Sequence, residues 1–138
     1  MPTDVLLETG FLIALNPRDR NHKWALKILK KAGEGGLNIY LSPAALTQIA
    51  LILKSRDLND SDISVALEAM EHAIKRYTKP QYPVITPSHH AYAAKLRVKY
   101  RELTFFDSLH AATAILNNLI YHDLDDIVRK VISREKTT

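Results

Sequence analysis

The sequence predicts a three-layer α/β/α sandwich with a central parallel sheet of four or five strands. Three observations predict it. Short continuous apolar runs recur along the chain, as expected of strands buried on both faces. Longer stretches of helical periodicity separate them, and right-handed crossovers place such helices on both sides of a parallel sheet. No internal repeat or interdomain linker interrupts the 138 residues, a length that suits one domain over 1–138.

Val5, Leu6 and Leu7 form the first run, ending at Glu8. Thr9-Gly10 makes a turn and Phe11 to Leu15 a short helix. Asn16-Pro17-Arg18-Asp19 breaks the chain, after which Ala25, Ile28, Leu29 and Ala32 mark a second helix that Gly33-Glu34-Gly35-Gly36 stops. Leu37 to Leu41 reads as the second strand. Ser42-Pro43 sets an N-cap ahead of a proline at the first helical position, and the third helix runs to about Ser55. Beyond Asp57-Leu58-Asn59-Asp60, the stripe Ile63, Ala66, Leu67, Met70, Ile74 and Tyr77 defines a helix with acids in its first turn and bases in its last. Pro80 ends it, and Pro83 to Thr86 reads as a third strand. Pro87 opens a helix with Ala93, Leu96, Tyr100 and Leu103 on its inner face. Thr104 starts another through Leu109, Ala112, Thr113 and Leu116. Leu119 to Tyr121 gives the fourth strand, and Leu124, Ile127, Val128 and Val131 trace the last helix.

Composition narrows the chemistry. There is no cysteine, which excludes disulfides, thiolate metal sites and thiol nucleophiles and is compatible with a reducing cytoplasm. No apolar stretch is longer than that from Phe11 to Leu15, which is too short to cross a bilayer, and the N-terminus lacks signal-peptide features, so no membrane role is expected. The formal charge of +4 favours an anionic partner, although Lys23, Lys27, Lys30 and Lys31 individually read as solvated helix surface. Ser108 lacks a nucleophile turn, and no glycine-rich phosphate loop is present.

In an open α/β sheet the site lies beyond the C-terminal ends of the strands. Glu8 follows the first strand, Asp107 lies in the first turn of a helix, and Asp123, Asp125 and Asp126 follow the fourth strand. Asp4 is about 13 Å of extended chain from Glu8 and belongs to the opposite end. Each acid also has a structural reading. Asp107 fits a capping box with Thr104, and Asp123 an N-cap with Asp126 as its partner. Glu8 has the weakest such reading, because a carboxylate directly after a buried strand needs solvent, a cation or hydrogen bonds. If the acids converge, their repulsion is relieved by a hard divalent cation, Mg²⁺ or Mn²⁺ rather than zinc. The chemistry such a cation serves with its waters is phosphodiester hydrolysis.

These residues resemble a PIN domain, and in particular the small single-domain VapC-like proteins of prokaryotes. The resemblance rests on Leu6-Leu7-Glu8-Thr9, on Asn16-Pro17-Arg18-Asp19-Arg20-Asn21-His22 with Ala25, on Leu103-Thr104-Phe105-Phe106-Asp107-Ser108-Leu109-His110-Ala111-Ala112-Thr113-Ala114, and on Tyr121-His122-Asp123. It implies a PIN-like fold and a Mg²⁺- or Mn²⁺-dependent endoribonuclease acting on single-stranded RNA. It further implies the toxin of a toxin-antitoxin pair, with an antitoxin protein as partner and a homodimer as its assembly. Glu8, Asp107 and Asp123 match the catalytic and metal-binding acids, and Asp126 matches a further aspartate. Glu8 stands for an aspartate, its extra methylene moving the carboxylate by roughly 1.5 Å. Gln48 stands for a helical glutamate and supplies oxygen without charge. Thr9 occupies a hydroxyl position near the metal or caps a helix, and Gly10 replaces the more usual asparagine.

Losing one charged ligand weakens metal binding, so the alternative is a catalytically weakened PIN-like module that binds RNA or protein. A phosphoacceptor signalling domain also clusters acids beside a sheet, but the lysine it needs near the last strand ends is missing. Among the bases leading toward Asp107, Arg97 and Arg101 are the candidates to hold an RNA backbone. His110 and His122 approach the acids in sequence, and His89-His90 reads as a solvated helix entrance. Trp24 and Tyr77 are apolar enough for a dimer face but read more simply as core.

Overall fold

The computed structural model describes residues 1–137. Its sheet has the order β2-β1-β3, with β1 (Thr3–Leu7), β2 (Leu37–Leu41) and β3 (Ile120–Tyr121) all parallel. The helices are α1 (Thr9–Ala14), α2 (His22–Gly33), α3 (Pro43–Ser55), α4 (Asp60–Lys75), α5 (Pro87–Lys99), α6 (Phe105–Leu116) and α7 (Asp126–Lys136).

Side-chain alternation along the central strand generates the layers. Val5 and Leu7 point into an apolar cluster with residues of α1, α2, α3 and β2, and Ile74 of α4 joins it. Leu6 points into a second cluster with residues of α5, α6 and α7. Successive strand residues face opposite sides, so a strand apolar at every position needs cover on both. That is why the run shows no polar alternation. In β2 the alternation is also plain: Leu37, Ile39 and Leu41 join the first cluster and Tyr40 packs on the second.

The strand expected at Pro83–Thr86 is absent. Its place beside β2 is taken by one parallel bridge between Gln81 and Tyr40, in which Gln81 N–H donates to Ile39 O at 2.8 Å and Leu41 N–H to Gln81 O at 2.9 Å. Proline has no N–H to continue a ladder, and Pro80 and Pro83 flank the bridge. The sheet therefore carries three strands and a single-residue edge.

Helix termini fix the connections. Gly35 has φ 85°, a left-handed conformation glycine adopts freely, and it turns the chain from α2 into β2. Asn59 caps α4 through Asp62 N–H, and Thr104 caps α6 through Asp107 N–H. The α5 helix ends at Lys99, earlier than the apolar spacing suggests, but Tyr100 and Leu103 still pack into the second cluster. On the far side Glu135 of α7 accepts from Tyr92 Oη at 3.0 Å, Lys99 Nζ at 2.8 Å and Tyr100 Oη at 2.7 Å. These bonds tie α7 to α5, and with it the segment that follows β3.

Candidate functional site

Strand register brings the first two acids together. Val5 pairs with Ile120 and Leu6 with Tyr121. Two residues further along two parallel strands, Glu8 comes level with Asp123. The ladder continues into this region, since His122 N–H donates to Leu6 O at 3.0 Å and Ser42 N–H to Leu7 O at 3.1 Å. Glu8, Ser42 and Asp123 thus leave the sheet at one edge.

Glu8 is 8% exposed, and its Oε1 accepts from Gly10 N–H at 2.9 Å, which makes Glu8 the N-cap of α1. It therefore has a structural role that its position after a strand did not disclose. Burial pushes its carboxyl up to about 7, with the neighbouring Asp123 carboxylate as the second cause. A carboxyl buried beside a second, half-buried carboxylate keeps its proton to higher pH. Tyr121 lies beneath the pair, its hydroxyl 3.5 Å from Asp123 Oδ2. Its phenol is driven far above the ordinary value by burial first, and then by Glu8, Asp123, Asp107 and Asp125. Four acids therefore act on one buried hydroxyl.

Asp123 is free for this role because Asp125 caps α7, accepting from Ile127 N–H at 3.0 Å. The capping read at Asp123 thus belongs two residues on. Asp126 is not among the acids that act on Tyr121. It is exposed at the start of α7 and pairs with Arg129 one turn ahead, because the first-turn position turns its side chain along the helix surface. Asp107 stands in the first turn of α6, half-buried, and its carboxylate takes no hydrogen bond among the described residues. Only one half of the expected capping box forms, from Asp107 N–H to Thr104 Oγ1 at 3.2 Å.

Gln48 lies under the pair in a chain of polar groups. Thr9 Oγ1 donates to Gln48 Oε1 at 2.6 Å, and His110 Nε2 approaches the same oxygen at 3.2 Å. His110 Nδ1 lies 2.9 Å from Ser42 Oγ. With Gln48 Oε1 accepting, Nε2 carries the proton and Ser42 donates to Nδ1. His110 is fully buried, and burial holds its imidazole down at about 4. Its 3.6 Å contact with Glu8 Oε2 is therefore made by a neutral ring. Thr9, Gln48, His110 and Ser42 come from α1, α3, α6 and the end of β2, so the chain of bonds pins four elements under one carboxylate.

The other expected residues divide. Arg97 donates to Ser108 Oγ at 2.6 Å and lies 4.8 Å above the Phe105 ring, clamping α5 to the start of α6. Arg101 is exposed past the end of α5. His122 packs against Trp24, with ring centroids 6.1 Å apart, and Trp24 in turn meets Phe11 edge-on, so Trp24 belongs to the core. His89, read as solvated, is buried; its Nδ1 accepts from Thr86 N–H and its Nε2 lies 2.7 Å from Asn117 Oδ1.

Among the described residues no three carboxylate or imidazole side chains form a ready-made metal cage. The donors at the edge are two adjacent hard carboxylates, with Asp107 in the same field. That set fits a cation of the Mg²⁺ kind, which is commonly held by one or two carboxylates and completed by water and substrate phosphate.

The PIN domain family profile matches residues 5–132. The search of curated proteins gives no match. Among solved structures, the VapC20 toxin of Mycobacterium tuberculosis, which cleaves the sarcin-ricin loop, superposes with TM-score 0.69 at 20% identity, over 91% of this chain and 93% of that one. VapBC2 of Rickettsia felis, bound to a DNA fragment from its promoter, gives TM-score 0.66 at 16% identity over 94% and 93%.

Proposed function

The chain belongs to the PIN domain family, and from that premise we propose that it is a divalent-metal-dependent endoribonuclease cleaving single-stranded RNA, the toxin of a toxin-antitoxin pair. The observation that carries the reading is the Glu8–Asp123 pair. Burial and the Asp123 charge make Glu8 hold its proton up to about 7, and a divalent cation is the natural replacement for that proton. Glu8 and Asp123 would hold the ion, and Asp107 would face it or its waters. Bound there, such an ion would supply charge stabilisation and an acidified water for phosphodiester hydrolysis.

The chain's own groups prepare that site. Gly10 N–H fixes one oxygen of Glu8. His110, held by Ser42, and Gln48, held by Thr9, wall its other side with neutral groups that add no competing charge. Arg101, exposed past the end of α5, would offer a cation to the RNA backbone, while Arg97 is largely committed to Ser108 and Phe105. The neighbour solved as VapBC2 supports a protein antitoxin as partner.

The test is cleavage of single-stranded RNA with millimolar Mn²⁺ or Mg²⁺ against the same reaction in chelator, for wild type and Asp107→Asn. Metal-dependent cleavage that the variant loses supports the reading. Cleavage unchanged in Asp107→Asn removes the assigned site. RNA binding without cleavage, indifferent to chelator, favours the weakened binding module, for which Gln48 in place of an acid is the specific observation.

A further inference from the structure

Gly10 lies against both carboxylates. A Cβ built on it would fall 2.9 Å from Asp123 Oδ1 and 3.0 Å from Glu8 Oε1 and, the adjoining residues and the helix's own backbone aside, no closer than 3.9 Å to any other atom. The space a methyl group would fill is therefore bounded by the two oxygens that would hold a cation. Nothing in the backbone requires glycine here: only Gly35 among the glycines has positive φ, and Gly10 lies in α1. In helices alanine is favoured over glycine by roughly 1 kcal/mol. Since the fold does not call for it, the missing side chain serves the carboxylates.

The length of Glu8 explains why. Its side chain curls back so that Oε1 caps the Gly10 amide at 2.9 Å, and this brings the oxygen over the Cα of the residue that it caps. A shorter acid at position 8 would not project its oxygens as far over residue 10. We propose that Glu8 and Gly10 act as one unit, in which the absent Cβ makes room for the long carboxylate beside Asp123, so that Gly10 is a positioning residue for cation binding. The inference rests on the metal-dependent reading above and adds a residue to it.

The two atoms a methyl would meet are the ends of flexible side chains. Gly10→Ala should therefore fold, and hold its melting temperature in chelator, while both oxygens move apart to admit the methyl. The test is titration of the full chain with Mn²⁺ alone by calorimetry, with thermal melts in chelator alongside, for wild type, Gly10→Ala, Glu8→Asp and the double variant. The expected result is Mn²⁺ binding weakened on the order of tenfold in Gly10→Ala, the scale of effect seen for groups that orient metal ligands, with melting unchanged or raised. In the double variant the shorter acid no longer meets the methyl, while the contact with Asp123 Oδ1 stays, so the combined loss should be smaller than the sum of the two single losses. Wild-type affinity in Gly10→Ala, or losses that simply add in the double variant, would overturn the Glu8–Gly10 unit while leaving the metal reading in place. A wild-type chain silent toward Mn²⁺ defeats the metal reading, and the unit with it.

Discussion

Glu8 and Asp123, 115 positions apart in sequence, meet as a carboxyl pair, the first buried and the second half-buried, because β1 and β3 run parallel in a register that sets them level. Burial and the Asp123 charge together raise Glu8 to about 7. The folded chain then binds more protons than the unfolded one between the ordinary value of 4.5 and about 7, so this group lowers stability as pH rises through that window. The penalty is complete above it and corresponds to about 3 kcal/mol. Glu8→Gln should therefore raise the melting temperature in chelator at pH 8 and change it little at pH 4.5. Melts across that range check this, and a variant less stable than wild type at pH 8 would contradict it.

His110 works in the opposite sense. Its folded value of about 4 lies below the ordinary 6.5, so the unfolded chain takes up the proton first and stability falls as pH drops from 6.5 toward 4. Ser42→Ala strands the buried Nδ1 that now accepts from the hydroxyl. An unsatisfied buried acceptor costs roughly 1–3 kcal/mol, and urea unfolding at pH 7.5 should show a loss of that size. Ser42→Ala with wild-type stability would mean that water or another donor replaces the hydroxyl.

Arg97 and Arg101 should separate by the kind of loss they cause. Arg101→Ala removes an exposed cation, and should lower the slope of log affinity for single-stranded RNA against log salt by about 0.7 with unchanged melting. Arg97→Ala removes the bond to Ser108 and the contact over Phe105, so it should lower the melting temperature first. Fluorescence anisotropy over a salt series with parallel melts distinguishes them; equal effects on stability would contradict the division.

How much was legible in the sequence follows what each feature depends on. The layered α/β architecture was readable because Val5-Leu6-Leu7 is apolar without a gap, which requires cover on both faces. Glu8 and Asp123 were readable as candidates because Glu8 directly follows β1 and Asp123 comes two residues after the end of β3. The third strand misled because Ile85 and Val84 suggest one, while ladder formation depends on donors that the adjacent prolines disrupt. The surroundings of Asp126 were not readable, because the start of α7 decides whether an acid caps, pairs or faces the site, and helix boundaries shift by a residue or two. His110 had a signal that was available: Leu109, Ala111, Ala112, Thr113 and Ala114 make its helix apolar all round, and a histidine inside such a helix must be buried and partnered. Its link to Gln48 spans 62 residues and depends on how α6 leans on α3, which no local pattern encodes.

The account turns on a divalent ion, held by Glu8 and Asp123, taking the place of the proton that Glu8 retains. Crystals soaked in Mn²⁺ and measured for anomalous scattering test this directly. The prediction is one peak between the Glu8 and Asp123 carboxylates, on the side of Asp107, at oxygen distances of about 2.1 Å. Manganese bound elsewhere, with these two carboxylates still joined to each other, would contradict it.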